Sequence, residues 1–316
     1  MRKNRLMYTV GLIMLLVVAS VSNVAAREFV SVGTGNIGGV YYAVGGGIAE
    51  VINQYVPDVT ARAEVTGASV ENCRLAARDE IQFGISNADV VYYAYNGQEP
   101  FEEKLDIRAA CALYCSTVNI VTLADANINS VSDLKGKRIS VGAIGSNTYN
   151  VAERILNAYG LDMKDIKATY NSISEAADAM RDGHLDGAFV LAATPAAALS
   201  ELATTAKTKF IALDDDAISS LVEKYPFYSK GIIPAGSYRG VDSDVQGLRQ
   251  WNVLLCSAKM SDDLAYQVAK AIFENLDDLV QIHPSAKEIT LETATEVPIP
   301  FHPGVEKYFR EVGVLR

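Results

Sequence analysis

A short apolar stretch, a turn of glycine and small polar residues, then a helix-patterned segment: this unit recurs along the chain and constrains its fold more than any other feature. Residues 29–33 (FVSVG) read as a strand followed by a helix over 41–54, residues 61–65 (ARAEV) as a strand followed by a helix over 69–78, and residues 82–86 (QFGIS) as a strand followed by a helix over 88–95. Alternation of this kind is the pattern of a parallel or mostly parallel sheet covered by helices.

The pattern changes at residues 107–123, a long apolar run with no helix inside it, which reads as a strand leaving one lobe and entering another. A second set of units then begins: strand 137–143, helix 147–159, strand 166–170, helix 174–182 and strand 187–192, with Thr194 and Pro195 as cap and first-turn pair of the next helix and strand 210–214 after it. Residues 225–240, rich in Pro, Gly and aromatic side chains, read as loop or irregular strand. Residues 252–258 (NVLLCSA) read as a second crossing strand, and Ser261 as the cap of a long helix reaching about Ile282. The expectation is an α/β chain of two lobes joined by crossing hinge strands, with 27–113 and 262–316 in lobe 1 and 114–261 in lobe 2.

Ahead of lobe 1, Arg2, Lys3 and Arg5 precede an apolar run from Leu6 to Val18 and a small-residue stretch ending at Ala26. That is the form of a secretory signal over residues 1–26, cleaved before Arg27. An uncleaved anchor is the other reading, but the run is short for a hydrocarbon core of roughly 30 Å. The formal net charge is −10, and loss of the signal makes it more negative. An acidic chain of this kind is a poor match for nucleic acid or anionic lipid, which need clustered Lys and Arg. Cys111 and Cys115 fall in one expected strand about 13 Å apart at about 3.3 Å per residue, too far to bridge. A bridge from either to Cys256 and buried free thiols both remain open. His184, His283 and His302 lack metal-ligand spacing with the cysteines, so no metal site is expected.

In open α/β sheets ligands bind beyond the carboxyl ends of the strands, where helix N-termini gather unpaired N–H groups. Four such turns here are small and polar: Gly33–Gly39 (GTGNIGG), TGAS around Gly67 and Ser69, SNAD from Ser86 to Asp89, and GAIGSNT from Gly142 to Thr148. Facing lobes would make of them a cleft lined by hydroxyls, amides and helix ends. Gly33, Gly35 and Gly38 match G-x-G-x-x-G, with Glu64 in the place of a ribose-binding acid. A lone fingerprint is weak, however; it follows a secretory signal, and Tyr41 and Tyr42 would open the helix with bulk, so no cofactor is expected. There is no nucleophile elbow, P-loop or zinc-protease motif, and the chain does not read as an enzyme. Asp178, Asp182 and Asp186 read as solvated surface, and Tyr92, Tyr93 and Tyr95 as packing or hinge-facing.

The segments GTGNIGGVYYAVGGGIAEVI, TGASVENCRLAARDEIQFGISNADVVYYAYNG, SVSDLKGKRISVGAIGSNTYNVAERILNAYGL, DGAFVLAATPAAALSELAT and YPFYSKGIIPAGSY, in this order and spacing, resemble the substrate-binding subunits of TAXI-type TRAP transporters. The resemblance implies a type II periplasmic-binding-protein fold. It also implies a periplasmic, monomeric receptor that delivers a small carboxylate or amino acid, of the glutamate or 2-oxoglutarate kind, to an ion-gradient-driven permease. By the same resemblance the ligand contacts fall on Thr34, Gly35 and Tyr41, on Ser69, on Asn87 and Asp89, and on Ser146, Asn147 and Thr148. Two positions depart from the pattern: Ala68 stands where many members have a second glycine, and Asn147 where they read GSGT. Closure of the lobes on the ligand would be the signal a partner reads. A sensor kinase or an ABC importer are alternative partners, and a secreted nucleotide-dependent oxidoreductase is the alternative from another class.

Overall fold

The recurring unit is realised strand by strand. In the computed structural model, which describes residues 27–316 and so leaves the expected signal segment outside, β1 (Glu28–Gly33) leads into α1 (Val40–Tyr55), β2 (Val59–Glu64) into α2 (Ser69–Ala77) and β3 (Phe83–Asn87) into α3 (Ala88–Asn96). β1 pairs in parallel with both β2 and β3. Val30, Val32, Phe83 and Ile85 are buried on these strands, packed under Val44, Ile48 and Ile52 of α1, so the apolar runs form the core they imply.

β4 (Ile107–Leu123) has the bounds read from its apolar run. Behind it come β5 (Arg138–Ser140), α4 (Thr148–Ala158), β6 (Lys167–Thr169), α5 (Ile173–Arg181), β7 (Gly187–Ala192), α6 (Ala197–Thr205), β8 (Thr208–Phe210) and α7 (Asp215–Lys224). Then follow β9 (Ser229–Ile233), β10 (Val245–Ser257), α8 (Asp262–Glu274), α9 (Leu276–Ile282) and α10 (Pro303–Glu311). The strands form one sheet in the order β2-β1-β3-β10-β4-β7-β5-β6, with β8 on β4 and β9 on β10.

β4 and β10 belong to both halves of that sheet. The later part of β10 pairs with β3 and its earlier part with β9, while β4 pairs with β10 at its start and with β7 and β8 at its end. This is the type II periplasmic-binding-protein fold, two α/β lobes joined by crossing hinge strands. Register shifts between Trp251 and Val253 and between Leu254 and Leu255 each leave an extra residue on β4. Such irregularities re-aim side chains where they occur. After β10 the chain returns to the first half, where Ala112 donates to Ala294 and Ala109 to Pro300.

Several expectations need correction. The helix after β7 starts at Ala197 rather than at Pro195: Ala196 is extended, at φ −91° and ψ 132°, and serves as its cap, with its N–H held by the buried Tyr238 hydroxyl at 2.9 Å. Of the two readings for residues 225–240, loop or irregular strand, the strand holds over β9, whose pairing to β10 outweighs its Pro- and Gly-rich surroundings. Ser261 does cap α8, accepting from Leu264, but the long helix breaks at Asn275 into α8 and α9. Asp186 is not solvated surface: it takes the Arg138 guanidinium at 2.6 Å and the Arg138 N–H at 2.8 Å. Of the two readings left open for the cysteines, the free one holds: Cys73, Cys111, Cys115 and Cys256 are all unbridged and buried.

Candidate functional site

Small residues at the strand ends let the two halves meet. Gly38, in the left-handed region at φ +91°, would place a Cβ 2.6 Å from the Ser174 hydroxyl of the second half. With no Cβ there, Ser174 donates to the Ile37 carbonyl at 2.8 Å and the Ala198 N–H to the Gly38 carbonyl at 3.3 Å. Gly67 likewise packs on Ile144 and Gly145. At the start of α2 the Val70 N–H donates to the Gly145 carbonyl at 2.9 Å, so a carbonyl of the opposite half stops this helix end. Ala68, its cap, sits at φ +76° and ψ −140°, a conformation suited to glycine.

Between these contacts lies a cavity of about 50 Å³. Seven of the nine expected site residues line it: Gly35, Tyr41, Ser69 and Asn87 from the first half, Ser146, Asn147 and Thr148 from the second. Asn36, Gly39, Val40, Ile173, Leu191 and Ala192 complete the wall, and no charged side chain contributes. α1 and α4 both begin here, each without a side-chain cap. The first-turn N–H groups of a helix have no partner within it and carry its positive end, so two such ends facing one cavity favour an anion. The Ser146 hydroxyl, buried on this wall, has no partner of its own.

Beneath the cavity the polar groups are tied together by Asn252 of β10, which sequence reasoning missed. Its Oδ1 accepts from the Tyr41 hydroxyl at 2.7 Å, from Asn87 Nδ2 at 2.8 Å and from the Ser116 hydroxyl at 3.1 Å. Its own amide donates to the Tyr114 carbonyl at 2.7 Å. Ser69 joins by donating to Asn87 Oδ1 at 3.1 Å. Burial pushes the Tyr41 hydroxyl well above its ordinary range, so it acts as a neutral donor.

The other two expected residues are not on the cavity wall. Thr34 is fully buried and donates to the Glu64 carbonyl at 2.6 Å, pinning the end of β1 to that of β2. Asp89, also fully buried, reaches across to the second half: Arg154 Nη1 lies 2.8 Å from one carboxylate oxygen, and Asn147 Nδ2 donates to the other at 2.8 Å. Arg154 also donates to the Tyr228 hydroxyl at 2.6 Å, and its guanidinium lies 4.6 Å from the Tyr225 ring centre. Burial works against the Arg154 charge, but Tyr228 and Asp89 more than offset it, so its pKa is raised further. Tyr92 and Tyr93 face the second half too, both against Phe227. Arg154 and Tyr228 were invisible to spacing arguments because their partner is remote in sequence.

The acid that the glycine fingerprint would need is already engaged. Glu64, the candidate ribose acid, is engaged by Ser31 and by Arg62 at 2.9 Å, bonds that hold its carboxyl below the usual range. Burial pushes the Cys73 thiol up to about 12, leaving no thiolate at neutral pH. Among the described residues no group of three His, Cys, Asp or Glu is placed to hold a metal, and no helix is long and apolar enough to cross a membrane.

The pattern of the NMT1-like family matches residues 32–313. Among solved structures, the ligand-binding component of an ABC-type import system from Staphylococcus aureus is 11% identical, with 92% of this chain and 93% of that one covered at a TM-score of 0.53. A protein from Bordetella bronchiseptica is 15% identical over 92% of this chain and 82% of its own, at 0.54. A binding-protein component of an ABC phosphonate transporter from Pseudomonas aeruginosa is 11% identical over 82% and 79%, at 0.50. At such identities the likeness is one of fold.

Proposed function

Because the chain belongs to the NMT1-like family and has the fold of periplasmic solute-binding proteins, we propose that it is a periplasmic solute receptor that closes on a small carboxylate or amino acid and presents it to a membrane importer. The observation that carries this reading is the convergence of two helix ends without side-chain caps, α1 from one half and α4 from the other, on a cavity with no charged side chain in its wall. Each helix end contributes roughly 0.3–2 kcal/mol toward an anion. Gly35, Tyr41, Ser69, Asn87, Ser146, Asn147 and Thr148 are the proposed contacts. The lobes divide near residues 113/114 and 261/262.

The finer reading follows the sequence resemblance: the receptor of a TAXI-type TRAP transporter, with a solute of the glutamate or 2-oxoglutarate kind and a permease driven by an ion gradient. An ABC importer is the second reading, favoured by the importer components among the similar folds. Calorimetry against a panel of carboxylates and amino acids, with small-angle scattering of each mixture, tests the receptor role. Binding accompanied by compaction supports it, and a panel in which no member binds, or none compacts the protein, refutes it. Uptake into vesicles carrying the cognate permease separates the two partners: an imposed ion gradient suffices for a TRAP system, whereas an ABC importer needs ATP.

A further inference from the structure

Gln250 on β10 is 1% exposed, and neither its Oε1 nor its Nε2 has a hydrogen-bond partner. A buried amide left unpaired at both atoms is costly, and native chains retain few of them without a reason. Its place supplies one. Along β10, Trp251, Val253 and Leu255 face one core cluster and Leu254 and Cys256 the other, so the strand alternates regularly here and Gln250 shares a face with Asn252. Asn252 is the residue beneath the cavity wall that holds Tyr41 and Asn87. β3 ends at Asn87, directly opposite Asn252, so Gln250 lies beyond the carboxyl end of β3, the position at which α/β sheets bind their ligands. Its partner across the sheet is Ser116, next to Thr117, which pairs with Ala192 of the cavity wall.

We infer that Gln250 is a further solute-contacting residue, reading an uncharged oxygen on the solute while the helix ends hold its carboxylate. This rests on the receptor role proposed above and narrows it to the oxo- and hydroxy-acids within the carboxylate class. The site favours those over an ammonium because its wall has no acid, and the nearby carboxylate of Asp89 is already engaged by Arg154, Asn147 and the Val90 N–H. An amide offers both a donor and an acceptor, which suits a carbonyl or a hydroxyl equally.

The test is calorimetry with two matched series: propionate, pyruvate, lactate and alanine, then glutarate, 2-oxoglutarate, 2-hydroxyglutarate and glutamate. The native protein should bind the oxo- or hydroxy-acid of one series about tenfold or more tighter than the unsubstituted acid, the scale of one buried hydrogen bond. Gln250→Met, which keeps the volume, should shrink that ratio to within about threefold and leave the unsubstituted acid within about threefold of native. A ratio that survives Gln250→Met overturns the inference and assigns the amide to a buried water; so does a native preference for the amino member. If the native protein binds no carboxylate at all, the receptor reading fails at the outset and this one with it.

Discussion

Replacing Arg154 by Met removes the counter-charge of Asp89 while keeping most of the side chain's apolar bulk. Asp89 is 0% and Arg154 13% exposed, so the pair is shielded from water in the closed arrangement. Breaking such a pair from one side costs about 3–5 kcal/mol. Asp89 keeps two donors in the variant, Asn147 Nδ2 and the Val90 N–H, which places the cost near the lower end, about 3 kcal/mol. Because Arg154 and Asp89 come from different halves, opening relieves the penalty by hydrating the carboxylate. The closed population should therefore fall relative to the open one by on the order of 100-fold. Small-angle scattering of the protein with its solute should show a larger radius of gyration for Arg154→Met, and the apparent solute affinity should drop in proportion to the closed fraction. Adding Asp89→Asn should restore much of the native compactness, since both charges are then gone. A scattering profile with solute that is unchanged by Arg154→Met, with affinity within threefold of native, would refute the idea that this pair holds the halves together.

Ala68→Gly should raise stability by roughly 1 kcal/mol, about 2–4 °C in Tm, by relieving a non-glycine residue at φ +76°; an unchanged or lower Tm would count against strain there. Gly67→Ala puts a Cβ 2.6 Å from the Ile144 carbonyl oxygen of the other half, so solute affinity should fall roughly tenfold while the melting temperature stays near native. His283 accepts from the Ser285 N–H at Nδ1 and so turns Nε2–H toward the Pro195 carbonyl at 3.0 Å, a neutral state that burial favours by lowering its pKa. Its folded pKa lies below the unfolded value of about 6.5, so stability is full above that pH and declines as pH falls below it. His283→Gln should flatten the decline of the urea midpoint between pH 7 and 5, leaving the part due to His302, whose pKa burial also lowers; parallel profiles for variant and native protein would rule this out.

The first half of the chain was the most legible part, because each strand there is short, apolar and followed at once by small residues. β4 was read to the residue, since nothing but a buried crossing strand accommodates so long an apolar run. At β9 the sequence leaves loop and irregular strand open, because the pairing that decides between them is supplied by β10, a neighbour that no local pattern announces. The same division holds at the site. Turn residues such as Ser69, Ser146 and Thr148 were visible from their chemistry and position. Asn252 reads as an ordinary strand residue and Gln250 falls outside the strand read at 252–258, because their importance comes from the face they share and from the groups that β3 and β4 bring beside them. Arg154 carries no local signal: its role comes from the carboxylate of the other half that the fold sets against it.

Side by side and hydrogen-bonded to each other, β4 and β10 form a two-stranded ribbon between the halves. A ribbon flexes readily across its face and resists sliding along its length, since sliding would break every rung at once. The motion that the proposed closure requires is thereby confined to one soft direction. On the proposed reading, the path by which the mouth opens is set by the mechanics of the backbone, and a guest alters only how far along that path the molecule rests.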